Sequence, residues 1–290
     1  MVDRPGDEER KRAGGYGEGG VGPSLSAADV AREAEEFGPG VAREAILALA
    51  GPDPILQVRG LRAGYGDMEI LHGIDLAIGR GKSLCLVGPN GAGKSTVLHS
   101  IFGFTKIRGG EILALGRDVT HLTSSAKLKD AKIAYILQDN SIFPDMTVEE
   151  NLLMGGYLLA NRVQAREAAE RVFARYDRLA RRRRERAGVL SGGERRLLEI
   201  SRALIMDPQV LLVDEPSIGL EPRMIDMVFE ILADLRDVHG KTIVMVEQNA
   251  RRGLEFADIG YVMVAGRVAL AAPGSDLLND PQVGRLFLGG

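Results

Sequence analysis

The sequence has few of the residues that would mark a secreted or membrane-spanning protein. It contains 290 residues with one cysteine and no tryptophan. A single cysteine cannot form a disulfide within the chain, and because Cys85 lies in an apolar run we interpret it as a small buried side chain in a reducing compartment. No uncharged stretch approaches the ~18 residues of a membrane helix, and no signal peptide opens the chain. We therefore expect a soluble, intracellular protein that is not itself a pore.

The chain also lacks a large excess of either charge. Its 37 Lys and Arg against 40 Asp and Glu give a net charge of −3, which does not favour nucleic-acid binding through a basic face. Hydrophobic residues make up 45% of the chain, enough to bury one large core or two modest ones. This composition excludes a wholly disordered or fibrous chain.

The first 54 residues differ from the rest in composition. They hold 10 of the 37 glycines and 5 of the 12 prolines, with 11 acidic and 6 basic side chains. Such a segment has too few apolar groups to offset the entropy of ordering it. We predict a low-complexity, mostly disordered extension over residues 1–54, and the alternative is a short docking helix around residues 41–50.

A phosphate-binding loop follows a predicted buried strand. The apolar run Ser83–Val87 predicts a strand covered on both faces, and it leads directly into the pattern G-x-x-x-x-G-K-[ST]. Glycines let successive backbone N–H groups converge on phosphate oxygens at the start of a helix. Lys94 can then reach the β- and γ-phosphates, and Ser95 can offer its hydroxyl to Mg²⁺. The loop consists of Gly88, Pro89, Asn90, Gly91, Ala92, Gly93, Lys94, Ser95 and Thr96.

Two carboxylates end a second predicted strand. Residues 209–213 have the pattern of a buried strand, with apolar side chains at 210–213, and Asp214 and Glu215 follow where a parallel strand ends and ligands bind. Neighbouring residues on a strand point to opposite faces. Asp214 can therefore support the Mg²⁺ shell while Glu215 polarises the attacking water as general base. Together with the phosphate loop, this pair predicts an NTPase.

A helix with small residues at its start lies between these two sites. Ser191 and Glu194 have the spacing of a capping box, and residues 195–206 have a helical pattern. The N-terminus of such a helix suits an anion. The alternative from this motif alone is an ordinary capped helix.

The phosphate loop, the LSGGE segment and the strand ending in Asp-Glu-Pro, in this order, resemble the ATP-binding cassette subunits of ABC transporters over about residues 55–290. The resemblance implies an α/β P-loop NTPase fold with a parallel core sheet, an antiparallel β subdomain and a helical subdomain at about residues 140–205. It also implies two cassettes that meet head to tail. The LSGGE residues Ser191, Gly192 and Gly193 of one cassette would then close on the γ-phosphate held by the other.

The same resemblance assigns roles to three further residues. Tyr65 matches the aromatic residue that stacks on adenine, and Gln138 matches the glutamine that contacts Mg²⁺ and senses the membrane partner. Gln248 stands where most cassettes have the histidine that holds the γ-phosphate and the attacking water. Its amide keeps one donor but cannot share a proton. We interpret Gln248 as a feature of the subfamily, with slow hydrolysis as the alternative.

Several short sequence segments resemble more specifically the second ATPase of branched-chain amino acid importers, the LivF type, and its urea and short-amide relatives. They lie at residues 143–152, 216–222, 246–250 and 286–289. In the first of these segments, Thr147 and Glu150 have the spacing of a second capping box. The resemblance implies an ATP-hydrolysing importer subunit that uses ATP and Mg²⁺. It would form a homo- or heterodimer with a second cassette and bind permease subunits. A solute-binding protein would be an indirect partner. Its place would be peripheral, on the cytoplasmic face of the inner or plasma membrane.

Some residues depart from the family pattern or lie outside it. Glu221 replaces an aspartate common in the loop that joins the two nucleotide sites. Arginine makes up half of residues 171–186, which we interpret as a solvated helix face near lipid rather than a nucleic-acid site. None of the four histidines occupies the position of the family histidine, where this chain has Gln248. We interpret all four as surface or packing residues: His72, His99, His121 and His239.

Other functions of cassette proteins remain as alternatives. Cassettes also serve DNA-repair, chromosome-organising and ribosome-associated proteins, which generally carry two cassettes in one chain or a long coiled coil. Here Lys94 and Ser191 are 97 residues apart, which leaves room only for a compact helical subdomain. A P-loop kinase would have no use for LSGGE. Transport of amino acids or small amides is the main hypothesis; a non-transport cassette ATPase, or an importer or exporter of another solute, is the alternative.

Overall fold

The computed structural model of the protein describes residues 40–137 and 141–288. In chain order its helices and strands are α1 (Arg43–Ala50), β1 (Pro54–Tyr65), β2 (Met68–Gly79), β3 (Ser83–Val87), α2 (Lys94–Phe102), β4 (Lys106–Ala114), β5 (Arg117–Asp118), α3 (Ser124–Lys129), β6 (Ile133–Ile136), α4 (Val148–Gly155), α5 (Arg162–Arg175), α6 (Asp177–Arg181), α7 (Gly192–Leu204), β7 (Val210–Asp214), α8 (Pro222–Asp237), β8 (Thr242–Val246), α9 (Ala250–Phe256), β9 (Ile259–Val264), β10 (Arg267–Pro273), α10 (Gly274–Asn279) and α11 (Pro281–Phe287). None of the helices in these residues is both long and apolar enough to cross a bilayer.

Two sheets carry the fold. The first is antiparallel, with the strand order β2-β1-β4-β5. The second has the order β10-β9-β3-β8-β7-β6, in which β9, β3, β8, β7 and β6 run parallel and β10 is an antiparallel edge strand. The parallel core sheet, the antiparallel sheet and a group of helices confirm the predicted fold class.

The central strands of the core sheet, β3, β7, β8 and β9, are mostly apolar and buried at every position, so the sheet is covered on both faces. The alternation of a strand sends Leu84 and Leu86 of β3 into a cluster with α2 and the antiparallel sheet. Cys85 and Val87 point the other way, into a cluster with α8, α9 and α10. Covering by layers on both faces is the rule for parallel sheets. The buried position predicted for Cys85 is confirmed, and burial raises the pKa of its thiol.

The helices α4 to α7 form a third, separate cluster. Leu152, Phe173 and Leu198 lie in its interior. Both predicted capping boxes are present: the Thr147 side chain accepts from the Glu150 N–H, and Ser191 Oγ accepts from the Glu194 N–H, each glutamate bonding back to its cap. The box at α7 ends the preceding loop and so sets the direction in which the LSGGE segment enters its helix.

A short helix precedes the first strand. Of the two alternatives for the extension, the docking helix is observed for the part that the structure describes, and residues 1–39 lie outside it. Ile46 is 1% exposed and packs with the first core cluster. Burying such a side chain stabilises by about 1.5–3 kcal/mol, whereas the exposed ion pair of Arg43 with Asp75 contributes about 0–1 kcal/mol. Burial of its apolar face therefore contributes more than the ion pair to the docking of α1. The packed part of the chain begins before residue 55.

Candidate functional site

Three parallel strands end side by side at the candidate site. The phosphate loop follows β3, and the pair Asp214 and Glu215 ends β7. Strand β8 lies between them, and its last residue, Val246, is level with Leu86 on one side and Asp214 on the other. The carboxyl ends of parallel strands are the edge at which α/β proteins bind ligands. The topology thus brings the two predicted halves of the site together.

The phosphate loop needs glycine at two of its positions. Gly88 has a φ of +145°, and a Cβ there would lie 2.2 Å from the Met263 carbonyl oxygen. Gly93 has a φ of +93°, and a Cβ there would lie 2.9 Å from Leu71 Cδ2. Gly93 is also the N-cap of α2 and makes no side-chain cap. The first N–H groups of α2 are therefore left to a ligand, as in anion sites at helix N-termini.

Lys94 is folded over the loop that carries it. Its Nζ donates to the carbonyl oxygens of Gly88 at 2.8 Å and Pro89 at 3.0 Å. Burial lowers the pKa of the Lys94 ammonium, while the charges of Glu215 and Asp214 act in the opposite direction. A bound phosphate would compete with the two carbonyls for this ammonium.

Asp214 and Ser95 are in direct contact. Ser95 Oγ donates to Asp214 Oδ1 at 2.9 Å, and Tyr135 Oη donates to Asp214 Oδ2 at 2.6 Å. Burial raises the pKa of the Tyr135 hydroxyl, which stays protonated and acts as a donor. A serine hydroxyl beside a single carboxylate supplies oxygen ligands of the kind that Mg²⁺ uses together with substrate phosphates. These two residues therefore fit the predicted metal site.

Glu215 occupies an unusual backbone conformation. Its φ is +42°, a value that costs energy for a residue other than glycine. Its N–H donates to the Val246 carbonyl at 2.9 Å. Burial raises the pKa of the half-buried Glu215 carboxyl, and the neighbouring charges of Asp214 and Glu247 raise it further, against the effect of Lys94. The raised pKa of this carboxyl is closer to the pKa of an effective general base near neutral pH.

An aromatic group lies beside these residues. Tyr65 is 41% exposed, and its hydroxyl is hydrogen-bonded to His99 Nδ1. His99 Nε2 lies 4.0 Å from Asp214 Oδ2. Burial lowers the pKa of His99, which Asp214 partly offsets. The sequence predicts a surface or packing residue at His99, and the imidazole does pack against the rings of Tyr65, Phe104 and Tyr135 while it also lies beside the candidate site.

Two residues of the candidate site were not predicted from the sequence, for different reasons. His99 follows Ser95 by four residues on α2, a spacing that places both on one face of a helix and could have been noticed. Tyr135 reaches Asp214 only because β6 pairs with β7, and no local pattern indicates this contact.

The LSGGE residues lie at the start of α7 in the helical cluster. Ser191 and Gly192 are exposed, and Gly193 is buried against α8, where a Cβ would lie 2.2 Å from Met224 Sδ. In the part of the chain that the structure describes, no hydrogen bond joins these residues to the phosphate loop. Gly192 has open space around it, because a Cβ there would meet nothing within 4 Å.

Of the two remaining predicted residues, Gln248 and Gln138, only Gln248 lies within the described residues. Gln248 is exposed and follows β8, next to the Asn249 that caps α9. Gln138 lies outside the described residues. The strand before it, β6, ends at Ile136 beside Val213 of β7.

The fold and the site define a P-loop nucleotide-binding ATPase: a phosphate loop between a buried strand and a helix, with a carboxylate pair at the end of a neighbouring parallel strand. Residues 71–218 match the family model described as ABC transporter. The chain therefore belongs to the ABC transporter family, of which it is an ATP-binding, ATP-hydrolysing subunit. Such subunits work as dimers with transmembrane permease subunits.

Curated relatives and solved structures agree with this assignment. The chain is 39% identical to the high-affinity branched-chain amino acid transport ATP-binding protein BraG of Pseudomonas aeruginosa, over 78% of this chain and 96% of the relative. It is 37% identical to the probable branched-chain amino acid transport ATP-binding protein LivF of Archaeoglobus fulgidus, over 81% and 99%. A nucleotide-free ATP-binding cassette from an ABC transporter superposes with a TM-score of 0.72 at 27% identity, over 82% of this chain and 100% of that one. The predicted resemblance to the LivF type is confirmed.

Proposed function

We propose that the chain binds Mg-ATP as one half of a cassette dimer and drives the import of branched-chain amino acids or related small amides. The observation that carries the ATPase part is the 2.9 Å contact between Ser95 and Asp214, beside Lys94 and at the carboxyl ends of the parallel strands. The working division of the chain is a cassette over residues 55–290 with a helical subdomain at about 140–205, to which α1 adds a docked segment.

The phosphate loop holds the triphosphate in this proposal. The N–H groups at the start of α2 and the Lys94 ammonium bind the phosphate oxygens, and Tyr65 stacks on the adenine. Ser95, Asp214 and Gln138 would hold the metal. When bound, Mg²⁺ neutralises charge on the phosphates and orients them for attack.

Glu215 and Gln248 act on the attacking water. Glu215 accepts a proton from the water, for which its raised pKa suits it. The Gln248 amide donates to the γ-phosphate or the water and holds the two in line. Positioning of this kind, rather than covalent chemistry by the protein, is what phosphoryl transfer requires.

The exposed N-terminus of α7 completes the site of a second cassette. Ser191, Gly192 and Gly193 present a hydroxyl and backbone N–H groups to the γ-phosphate that the partner holds. Closure follows ATP binding, and hydrolysis reopens the dimer. A groove of about 530 Å³ between α4 and α5, with Met146, Glu150 and Leu153 in its lining, would receive a permease and carry the motion to it. The subunit would then lie on the cytoplasmic face of the membrane.

The proposed solute follows from the relatives. The BraG and LivF relatives are named for branched-chain amino acid transport, at 39% and 37% identity. A second candidate is export of another solute, since the chain is also 31% identical to the lipopolysaccharide export protein LptB of Haemophilus influenzae over 97% of its length. The lower identity of this relative ranks export behind import.

The test has two parts. The purified chain is assayed for Mg²⁺-dependent ATP hydrolysis, with Lys94→Ala as the inactive control. Its complex with permease subunits, extracted from native membranes, is then reconstituted in vesicles with the solute-binding protein, and uptake of labelled leucine, valine and urea is measured. ATP-dependent uptake of any of these supports import of this solute class. Hydrolysis without uptake in an active complex would assign the ATPase to another solute.

A further inference from the structure

Glu247 is a buried carboxylate that the proposed mechanism leaves without a role. It is 2% exposed and follows β8 directly. Since Val246 is level with Leu86 and Asp214, Glu247 stands between the end of β3 and Glu215. A carboxylate at this place in the sheet lies among the groups that would handle the γ-phosphate and the water.

One oxygen of this carboxylate joins two separate segments. Glu247 Oε1 accepts from the Ser217 hydroxyl at 2.6 Å and from the Asn249 N–H at 3.0 Å. Ser217 belongs to the turn that begins with Glu215, and Asn249 follows Gln248. The two bonds therefore link the turn that carries the proposed general base to the segment that carries the proposed γ-phosphate donor.

The other oxygen is not satisfied. Glu247 Oε2 is buried and accepts no hydrogen bond from the residues that the structure describes. Removing a carboxylate oxygen from water without a partner is costly, and an apolar side chain would fill the space without this cost. Simple packing therefore does not explain a glutamate here.

The side chain is also fixed in position. Gly253 of α9 lies against it, and a Cβ at this glycine would lie 2.6 Å from Cys85 Sγ and 3.0 Å from Glu247 Cβ. The turn is tied to the end of β8 a second time by the Glu215 N–H bond to the Val246 carbonyl. The positive φ of Glu215 needs such support, because a strained backbone persists only where its surroundings hold it.

We propose that Glu247 is a positioning residue for ATP hydrolysis, which keeps Glu215 and Gln248 at a constant spacing through its bonds to Ser217 and Asn249. It acts through these two residues and does not touch the nucleotide. The proposal rests on the proposed ATPase function of the site. It predicts that loss of the link affects the chemical step and leaves ATP binding by the phosphate loop intact.

The test measures kcat and KM for ATP in the full-length chain. We expect Glu247→Ala to lower kcat by about tenfold to a hundredfold, since small displacements of positioned groups cost this much, with KM unchanged. Glu247→Gln keeps an acceptor oxygen at Oε1 and should recover most of the lost turnover. Ser217→Ala removes the same link from the other side. The double variant Glu247→Ala with Ser217→Ala should be no slower than the slower single variant.

Matched controls separate the possible failures. Glu255→Ala removes an exposed glutamate of α9 and should leave kcat and KM unchanged. A wild-type chain without ATPase activity would refute the proposed function itself. With an active wild type, a normal kcat in Glu247→Ala, or a Glu247→Gln variant as slow as the alanine variant, would overturn the positioning role. Should Glu247→Ala fail to fold, Ser217→Ala decides, because a normal kcat in that variant contradicts the link.

Discussion

The helices α2 and α7 both begin at glycine-containing segments, and they differ in what surrounds their N-termini. The start of α2 lies at the end of the core sheet, where Lys94, Ser95 and Asp214 already contact one another or the loop. The start of α7 is closed by a capping box between Ser191 and Glu194 and faces outward, with open space around Gly192. The first N-terminus is a nearly complete site within one chain, whereas the second becomes a site only against another molecule.

The largest expected effect is at the first N-terminus. Lys94→Ala removes the ammonium that would bind the phosphates, and two charge-assisted bonds of about 1.5 kcal/mol each correspond to about 100-fold weaker ATP binding. Titration with ATP in a calorimeter measures this loss. Lys106→Ala, at an exposed lysine of β4, is the matched control. ATP affinity at the wild-type level in Lys94→Ala would remove Lys94 from its role.

The next effect separates binding from hydrolysis within the same site. Glu215→Gln keeps the shape of the side chain but not its basicity, so hydrolysis should fall by about 100-fold or more while ATP binding persists. The variant should then accumulate as an ATP-bound dimer, which gel filtration with ATP detects. Glu230→Gln, at an exposed position of α8, controls for the loss of charge. A Glu215→Gln chain that hydrolyses ATP at the normal rate would show that another group is the base.

A smaller effect tests whether the second N-terminus needs a partner. Gly192→Ala adds a methyl group where the chain itself has nothing within 4 Å, so ATP binding should not change and the melting temperature should not fall. If the γ-phosphate of a partner approaches here, hydrolysis should fall by about tenfold. Steady-state ATPase assays and thermal melts measure both quantities.

The neighbouring glycine provides the contrast. Gly193→Ala places a Cβ 2.2 Å from Met224 Sδ, so the methionine must shift. The melting temperature should therefore be lower than in Gly192→Ala, and Met224→Ala in the same chain should partly restore it. Should Gly192→Ala destabilise the chain as much as Gly193→Ala, the distinction between the two sides of α7 would fail.

The smallest expected effect is at Gln248. Gln248→His introduces the residue that most cassettes have, and we expect little change in turnover, because the glutamine amide already supplies a donor. ATPase rates of the two proteins over a range of ATP concentrations measure this. A large rise in turnover would instead mean that Gln248 slows hydrolysis in this chain.

Local patterns predicted β3, β7, the phosphate loop and both capping boxes. Each depends on residues close together in sequence: a run of apolar side chains predicts β3, and an S-x-x-E spacing predicts the start of α7. The docking of α1 remained one of two alternatives, because only its contact with the first core cluster distinguishes a helix from a disordered tail.

The membership of Tyr135 and Glu247 in the site could not be predicted in the same way. Tyr135 and Asp214 are 79 residues apart, and Glu247 and Ser217 are 30 apart. Each contact exists because two strands pair, and strand pairing is a property of the whole sheet. A buried glutamate after an apolar strand has no local signal that separates it from a surface residue.

The sequence by itself therefore determined the class of this protein, since the glycine spacing, the lysine and the carboxylate pair are local requirements of phosphate chemistry. Only the tertiary structure decided which groups meet. It placed Ser95 against Asp214 across 119 residues and put Glu247 between the phosphate loop and Glu215. The physical reason is the parallel core sheet, whose crossover connections bring distant segments to one edge.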